Sequence, residues 1–396
     1  MAIDISKIQS IITSKALDGW LLYDFRGMNE LALEILHIPK ASHLTRRFFY
    51  FIPANGTPTK IVNGIEADNL RHLPGTEIRY SSRESLDAAL KSILISGQKI
   101  AMEYSPMNAI PYLSKLDAGT YQYLSGFGID IICSGDLITL FNATWTKEQY
   151  DDNKPVAAAL VEIVKDAFKY IKEKTVKGES LNEYEVQCFI MNEFERRNIE
   201  TDFPPIVGVN ENSANPHYEP TAKEHKPINK GDFVLIDLWA KSKMANAVWA
   251  DITWCGYMGS EIPEKYIKIF NIVKNARDAA FDLVSQRFAA KQPVMGWELD
   301  NAARTVIADA GYAEYYIHRT GHSITTEVHG SGPHLDNFET KDERLISPST
   351  SFSIEPGIYL RGDFGVRNEI DVFIHEDGKV EFTGPEKQEE LFPILK

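Results

Sequence analysis

Phe233-Val-Leu-Ile-Asp237-Leu-Trp-Ala240 and Val248-Trp-Ala-Asp251-Ile-Thr-Trp254 are two apolar stretches, each interrupted by one aspartate. Apolar runs of this length read as strands buried on both faces. A carboxylate inside such a strand costs several kcal/mol to bury unless something positive meets it. If Lys241 to Ala247 is the turn of an antiparallel hairpin, Asp237 and Asp251 lie near each other across the pair, where like charges repel. A multivalent cation removes both difficulties.

The pattern returns near the C-terminus. Phe352-Ser-Ile-Glu355 runs into Pro356-Gly357, and Gly365-Val-Arg-Asn-Glu369-Ile-Asp-Val-Phe373 comes back, so Glu355 and Glu369 are fourteen positions apart, as are Asp237 and Asp251. A second hairpin with the same geometry and a second carboxylate pair is the expectation. His322, in His318-Arg-Thr-Gly-His322-Ser-Ile-Thr-Thr-Glu-Val-His329, brings the set to four carboxylates and one imidazole. An oxygen-rich set with one nitrogen suits Mn²⁺, Co²⁺, Fe²⁺ or Zn²⁺, and four negative charges balance two divalent ions. Two ions sharing carboxylates could hold a hydroxide between them as nucleophile at neutral pH. Any one of these residues alone reads more simply as a bulge, a turn neighbour or an edge residue. The five together, in two matching hairpins, point to metal. His318 and His322 at i, i+4 would suit a zinc-binding helix, but no Glu stands in the HExxH position, and Gly321, Thr325 and Thr326 disfavour a helix. His225, His334 and His375 have no comparable context and read as surface residues.

Outward from these strands, helical spacing of Val156, Leu160, Val161, Val164 and Phe168 predicts a helix from Pro155 to Lys174, closed by Gly178. Ser180-Leu-Asn-Glu183 reads as a capping box opening a second helix with Val186, Phe189, Ile190 and Phe194. Helices are expected again from about Pro263 to Ala290 and from Trp297 to Ala310, followed by strands to the end. Two helices and then strands, twice over, suggest a domain of two related halves. Residues 1–145 read as a separate α/β unit with strands at Gly19–Tyr23, Arg47–Ile52, Thr59–Val62, Lys99–Glu103 and Gly128–Ile132, and a turn at Ala54-Asn55-Gly56. His37, His43 and His72 are isolated there, and no catalytic constellation stands out.

The chain has 396 residues, enough for two domains with their own cores. Its 42 Lys and Arg against 56 Asp and Glu give a formal net charge of −14, which argues against a nucleic-acid binder that works by neutralising phosphates. Cys133, Cys188 and Cys255 are far apart, without a CxxC, and read as buried thiols in a reducing compartment. Neither a signal-peptide pattern at Met1-Ala2-Ile3-Asp4 nor an apolar run long enough to span a membrane is seen, so a soluble cytoplasmic protein is expected.

The order Asp, Asp, His, Glu, Glu, carried by Leu235-Ile-Asp237, Ala250-Asp251-Ile-Thr253, Gly321-His322, Ile354-Glu355-Pro-Gly357 and Arg367-Asn-Glu369, resembles the metallopeptidases of the creatinase and methionine aminopeptidase superfamily over nearly the whole chain. The resemblance implies an α/β (α+β) fold. It would comprise a creatinase-like N-terminal domain over residues 1–145 and a "pita-bread" catalytic domain with pseudo-two-fold halves over 146–396. The N-terminal domain, the pair His217-Tyr218 and Val328-His329 are similar to the Xaa-Pro aminopeptidase and prolidase branch.

The same resemblance implies the residue roles. Asp237 and bridging Asp251 would hold one metal, His322 and Glu355 the other, and Glu369 both. Glu355 would also be the proton acceptor or shuttle for the bridging hydroxide. His217 and His329 would contact substrate and the tetrahedral intermediate, and Arg367 would orient Glu369 or meet a substrate carboxylate.

The implied activity is hydrolysis of Xaa-Pro bonds with two divalent ions, manganese foremost. An Xaa-Pro aminopeptidase is the leading expectation and a prolidase (Xaa-Pro dipeptidase) the alternative. A metal-free creatinase-like or peptide-binding relative is disfavoured because all five ligands are present. The expected partners are a proline-containing peptide and a second copy of the chain in a homodimer. Two departures bear on substrate preference. Thirteen residues separate Asp237 from Asp251, more than is usual, and Trp239 and Trp254 stand where a small residue and an Arg are common.

Overall fold

The computed structural model describes residues 3–39 and 41–396, and Met1, Ala2 and Lys40 lie outside them. The chain forms two compact units that part between Asn142 and Ala143.

In the first unit β1 (Gly19–Asp24), β2 (Phe48–Pro53), β3 (Thr59–Asn63), β4 (Thr76–Tyr80), β5 (Lys99–Met102) and β6 (Asp130–Cys133) form one sheet, ordered β4-β3-β2-β1-β5-β6. Every residue of β1 is buried, as its unbroken apolar run requires. Gly56, at φ +100°, supplies the left-handed turn between antiparallel β2 and β3. Sequence patterning missed β4, because it is a short edge strand with only Ile78 and Tyr80 as apolar positions and the rest exposed. Helices α1 (Ile5–Ser14), α2 (Glu30–Ile35), α3 (Arg83–Lys91), α4 (Ala118–Ser125) and α5 (Gly135–Asn142) accompany the sheet. Ile8 and Ile12 of α1 are buried with Trp20 and Leu22, while Leu86 and Leu90 of α3 join Leu21 and Phe49 in a second cluster.

The second unit opens with α6 (Lys147–Val176) and α7 (Glu183–Arg196). Helix α6 begins eight residues before Pro155, the position read as its start. Thr146 and Gln149 form a capping box, with the Gln149 N–H donating to Thr146 Oγ1 at 3.2 Å and the Thr146 N–H to Gln149 Oε1 at 2.8 Å. Pro155 is carried inside the helix without an N–H to donate. The buried stripe Val156, Leu160, Val164, Phe168 and Ile171 holds that helix in place. The box that opens α7 is Asn182 with Glu185, two residues later than Ser180 with Glu183. Glu183 is fully buried and bonded elsewhere.

Strands β7 (Ile199–Glu200), β8 (Ile206–Val209), β9 (Phe233–Ser242) and β10 (Ala250–Tyr257) follow. Helices α8 (Glu264–Ala289) and α9 (Gly296–Asp309) then repeat the helical pair. They lead into β11 (Ser323–Ile324), β12 (Ser351–Ile354), β13 (Gly357–Leu360), β14 (Phe364–Arg367), β15 (Ile370–Ile374), β16 (Val380–Phe382) and β17 (Phe392–Pro393). The layout is thus two helices and a long antiparallel pair, twice.

The first pair, β9 with β10, is one unbroken ladder. The second is divided into β12–β15 and β13–β14, which share one register on either side of Glu355-Pro356 and Asn368-Glu369. Pro356 has no N–H for a ladder, which accounts for the break. The halves abut where the Glu369 N–H donates to Thr253 O at 3.3 Å and the Asp251 N–H to Asp371 Oδ2 at 2.7 Å. Among the cysteines only Cys255 is fully buried, while Cys133 and Cys188 are half-buried, and none of the three is in a disulfide. Among the described residues no helix is long and apolar enough to cross a membrane.

Replacing an N-cap Ser or Thr by Ala costs about 1 kcal/mol. Thr146→Ala is therefore expected to lower unfolding free energy by about that amount, read as a shift in denaturant midpoint at unchanged slope. A variant as stable as the parent would mean that the packing of α6 alone sets its start.

Candidate metal centre

Across the β9–β10 ladder Asp237 pairs with Thr253 and Asp251 with Trp239. Residues two apart on a strand share a face. Both aspartates therefore project to one side, as diagonal rather than directly opposed neighbours. Glu355 and Glu369 fall opposite each other when the common register of the second pair is extended through its break. The two carboxylate pairs thus differ in offset, contrary to the matching geometry read from their equal spacing. The turn is displaced by two residues from the expected one, since Lys241 and Ser242 belong to β9 and β10 begins only at Ala250. Within it Ala247, Val248 and Trp249 are buried, and Trp249 donates from Nε1 to Thr326 O at 2.9 Å and from its backbone N–H to Thr325 O at 3.1 Å. The extra residues of the hairpin are packed against the segment that carries His322 and His329.

These elements bring Asp251, His322 and Glu369 together, with one ligand atom of each lying within 4.8 Å of the others. His322 Nε2 is 3.4 Å from Glu355 Oε1 and 3.9 Å from Asp251 Oδ2. Asp237 joins through Arg367, whose Nη2 is paired with Asp237 Oδ2. The same guanidinium donates from Nε to Thr253 Oγ1 at 2.9 Å and from Nη1 to the Tyr359 hydroxyl at 3.2 Å. Thr253 Oγ1 in turn donates to Glu369 Oε2 at 2.6 Å. Arg367 therefore holds Asp237 directly and reaches Glu369 only through Thr253. With these nitrogens engaged inside the protein, the expectation that Arg367 meets a substrate carboxylate is not favoured.

Sequence reasoning missed a further carboxylate. Asp371 is buried two residues beyond Glu369 on the same face, and its Oδ2 accepts the Asp251 N–H. Strand alternation from Glu369 was the signal that could have found it. Tyr359 and His318 were also missed in this setting. His318 Nε2 lies 2.7 Å from the Tyr359 hydroxyl, in a loop rather than a helix, and burial lowers its imidazole to about 3. His329 is exposed, with its ring centroid 4.4 Å from that of His322. His217 is exposed, yet close enough to Asp237 to favour its charged form. His225 is exposed as expected. His334 is instead buried, with Nδ1 accepting the Ser323 N–H at 3.1 Å, and His375 is half-buried with Nε2 at 3.2 Å from Glu381.

The carboxylates of Asp237, Asp251, Glu355, Glu369 and Asp371 cluster with one guanidinium, that of Arg367, and all but the partly exposed Glu355 are buried. Burial is the largest influence on each. It holds Asp251, Glu369 and Asp371 well above the ordinary carboxylate range, raises Asp237 against the pull of Arg367, and lifts Glu355 to about 7. Burial also keeps His322 well below its ordinary value, so its imidazole is neutral and free to act as a ligand. Asp237 Oδ1, Asp251 Oδ1, Glu369 Oε1 and Asp371 Oδ1 are buried without a hydrogen-bond partner. Orphaned buried carboxylate oxygens around a neutral imidazole are what a divalent cation site offers before the cation is added. The residues fit the metals that the donor set implies.

Comparison with known proteins gives the centre its family. A model of "Metallopeptidase family M24" matches residues 156–376, more than half of the chain. The chain belongs to metallopeptidase family M24. It is 35% identical over 196 residues to a protein named Xaa-Pro dipeptidase from Lactobacillus delbrueckii subsp. lactis, a match covering 50% of this chain and 49% of that one. It is also 35% identical over 186 residues to the Xaa-Pro dipeptidase of Pyrococcus furiosus, covering 47% and 49%. The chain thus spans about half the length of the curated relatives it matches. A solved structure of prolidase from Thermococcus sibiricus superposes with a TM-score of 0.63 at 26% identity, over 98% of each chain. The α/β fold with a pita-bread domain is therefore shared with this M24 enzyme.

A cation that takes the raised carboxylates must displace their protons. Apparent affinity for Mn²⁺ is accordingly expected to rise with pH through neutrality. Calorimetric titration of chelator-stripped protein, in buffers of different ionisation enthalpy near pH 7, should show net proton release. Binding without proton release would contradict the assignment of these residues as ligands.

Proposed function

We propose that this M24 protein is an Xaa-Pro dipeptidase that uses two divalent ions, with manganese the native metal. The carrying observation is the set of orphaned carboxylate oxygens around His322. The dipeptidase reading is supported by the names of the relatives, and it displaces the aminopeptidase reading favoured by sequence alone. Asp237 and Asp251 would hold one ion and His322 and Glu355 the other, with Asp251 and Glu369 shared. Ions bound there supply Lewis acidity, acidifying water and polarising the scissile carbonyl.

The remaining work falls to this chain's own side chains. Glu355 is the proton acceptor in this reading. Its side chain is 16% exposed, against 10% for Asp237 and 7% for Asp251, so among these three it has the best access to a proton in transit. His329 and His217, on the open side, would donate to the carbonyl oxygen as it gains negative charge, the position where a preorganised donor is worth most. Arg367, Thr253 and Tyr359 keep Asp237 and Glu369 oriented whether or not substrate is bound.

The discriminating experiment is a panel of Xaa-Pro dipeptides, Xaa-Pro-Yaa tripeptides and non-proline dipeptides, assayed with Mn²⁺, Co²⁺ and Zn²⁺. Dipeptides ending in proline should exceed both other classes in kcat/KM by at least about tenfold. Preferred cleavage of tripeptides would restore the aminopeptidase reading. A metal-loaded protein inactive on all three would make it a non-peptidase relative.

Two variants separate ligand from substrate contact. Asp251→Ala is expected to lose bound metal and turnover together, because a shared ligand serves both ions. His329→Ala should retain metal while losing about 10²–10³ in rate, the effect of removing one donor to developing charge. Metal analysis beside kinetics reads both, and loss of metal from His329→Ala would make that histidine a ligand.

A further inference from the structure

His217 sits in a long excursion between β8 and β9 that contains little regular structure of its own. Such a segment needs external anchors to hold a side chain in place. The excursion begins with the 3₁₀ turn Asn210–Ala214 and returns through Lys226 to β9. Its first anchor is β14, where the Gly365 N–H donates to Ser213 Oγ at 2.8 Å. A Cβ on Gly365 would stand 2.2 Å from Ser213 O, so the turn lies directly on the strand that ends at Arg367.

The second anchor is Glu183, the first residue of α7, which is fully buried. Its Oε1 accepts the Val209 N–H at 2.7 Å and Asn212 Nδ2 at 2.9 Å. Its Oε2 accepts the Tyr218 hydroxyl at 2.7 Å and the Lys226 N–H at 2.6 Å. Four donors, two before His217 and two after it, thus converge on one carboxylate. A carboxylate has about four lone-pair sites, and all are used. The Glu183 N–H donates back to Lys226 O at 3.0 Å, and the Lys226 ammonium pairs with Glu211 across the base of the excursion. Among the described residues none of the hydrogen bonds of the Glu183 side chain goes to a metal-ligand candidate.

We propose that Glu183 is a positioning residue for the reaction, fixing the Val209–Lys226 excursion so that His217 is presented to substrate beside the metal centre. This rests on the reading of His217 as a substrate-contacting residue. The chemistry of the anchor explains why it is a carboxylate. Each of the four neighbours can only donate, or does donate, toward Glu183, so an acceptor-only group satisfies them all. A glutamine would turn an NH₂ toward the backbone N–H of either Val209 or Lys226, which has no acceptor to offer, breaking at least that bond without changing size. The tie between Tyr218 and Glu183 places the constraint on the residue next to His217 itself.

The test is a double-mutant cycle on the Mn²⁺-loaded full chain, using Glu183→Gln, Tyr218→Phe and His217→Ala, with kcat and KM measured on an Xaa-Pro dipeptide and metal content on each variant. Small misplacements of a contacting group lower rates by about 10- to 100-fold. Glu183→Gln is expected to lose kcat/KM in that range with full metal content, and Tyr218→Phe less. Neither should cause further loss in the His217→Ala background, where there is no imidazole left to position. Equal losses in both backgrounds would overturn the proposal and make Glu183 a stability residue, leaving the role of His217 intact. A His217→Ala protein with parental kinetics would instead remove the reading on which the proposal rests. Amide exchange supplies an arm independent of activity. Glu183→Gln should accelerate exchange across residues 209–226 while helices α8 and α9 keep parental protection, and unchanged exchange in the excursion would also overturn the proposal. If Glu183→Gln does not fold, Tyr218→Phe, which removes one hydroxyl from a half-buried side chain, runs the same cycle and the same exchange measurement.

Discussion

Five carboxyl groups and one neutral imidazole share a largely buried site with a single guanidinium, and much of the second unit is arranged around that imbalance. At an effective dielectric near 20, two like charges about 4 Å apart repel by about 4 kcal/mol. No hydrophobic packing nearby can soften a repulsion of that kind, because it is the packing that excludes water and removes the screening. The pocket therefore has two low-energy conditions: carboxyls that keep their protons, or carboxylates neutralised by cations. Raised proton affinities at Asp251, Glu369 and Asp371 are the signature of the first condition. The orphaned oxygens are the groups that cations would satisfy in the second.

Holding so many like groups together demands a stiff frame, and the two antiparallel pairs supply it. The ladder β9–β10 fixes Asp237 and Asp251 by backbone register, and the divided ladder of the second half fixes Glu355 and Glu369. Hydrogen bonds between the halves, Asp251 N–H to Asp371 and Glu369 N–H to Thr253, set the distance between the pairs. The histidines are handled differently, since they come from loops. Asp300 of α9 is fully buried and accepts from Arg304, the Thr320 N–H and the Thr320 hydroxyl, tying down the residues just before His322. Asp342 accepts the His334 N–H and is clasped by Arg344 on the far side of the same loop. Buried carboxylates thus act twice in this domain, as candidate ligands on strands and as acceptors that organise loops.

Much of the fold and most of the centre were legible because both rest on patterns that burial imposes on sequence. Apolar runs interrupted by Asp237 and Asp251 ask for a positive partner, and the repeat of helix pair and strands marks the two halves. What escaped was set by partners that no local pattern reveals. Strand β4 lies at a sheet edge, and its alternation, Ile78 and Tyr80 against Glu77 and Arg79, is too short and too polar to stand out. Glu183 looked like the third residue of a capping box, yet tertiary hydrogen bonds claimed it and moved the cap to Asn182 and Glu185. Equal spacing in sequence concealed unequal offset across the two ladders, because register is decided by the turn and by Pro356 rather than by residue count. Asp371 went unused for a simpler reason: with Glu369 already assigned, the next residue on the same face was not followed.

Two departures from the family pattern, the longer turn and Trp239, lie on one flank of the pocket and are coupled, while Trp254 packs with α6 on the other face of the sheet. Trp239 pairs across the ladder with Asp251 and donates from Nε1 to Asp202 Oδ1 at 3.0 Å, so an indole stands beside the candidate ligands where a small residue is common. The longer β9–β10 turn folds Val248 and Trp249 into a cluster with Trp145, Ile324 and Phe373, against which Trp239 and Val328 also pack. Val328 precedes His329, and Ile324 lies two residues after His322. An enlarged turn, a bulky strand residue and the segment between two site histidines therefore share one apolar cluster. A change in any of these reaches the others through close-packed contacts, which yield little without a compensating shift. The extra turn residues brace the histidine segment, and Trp239, beside the candidate ligands, packs against that brace.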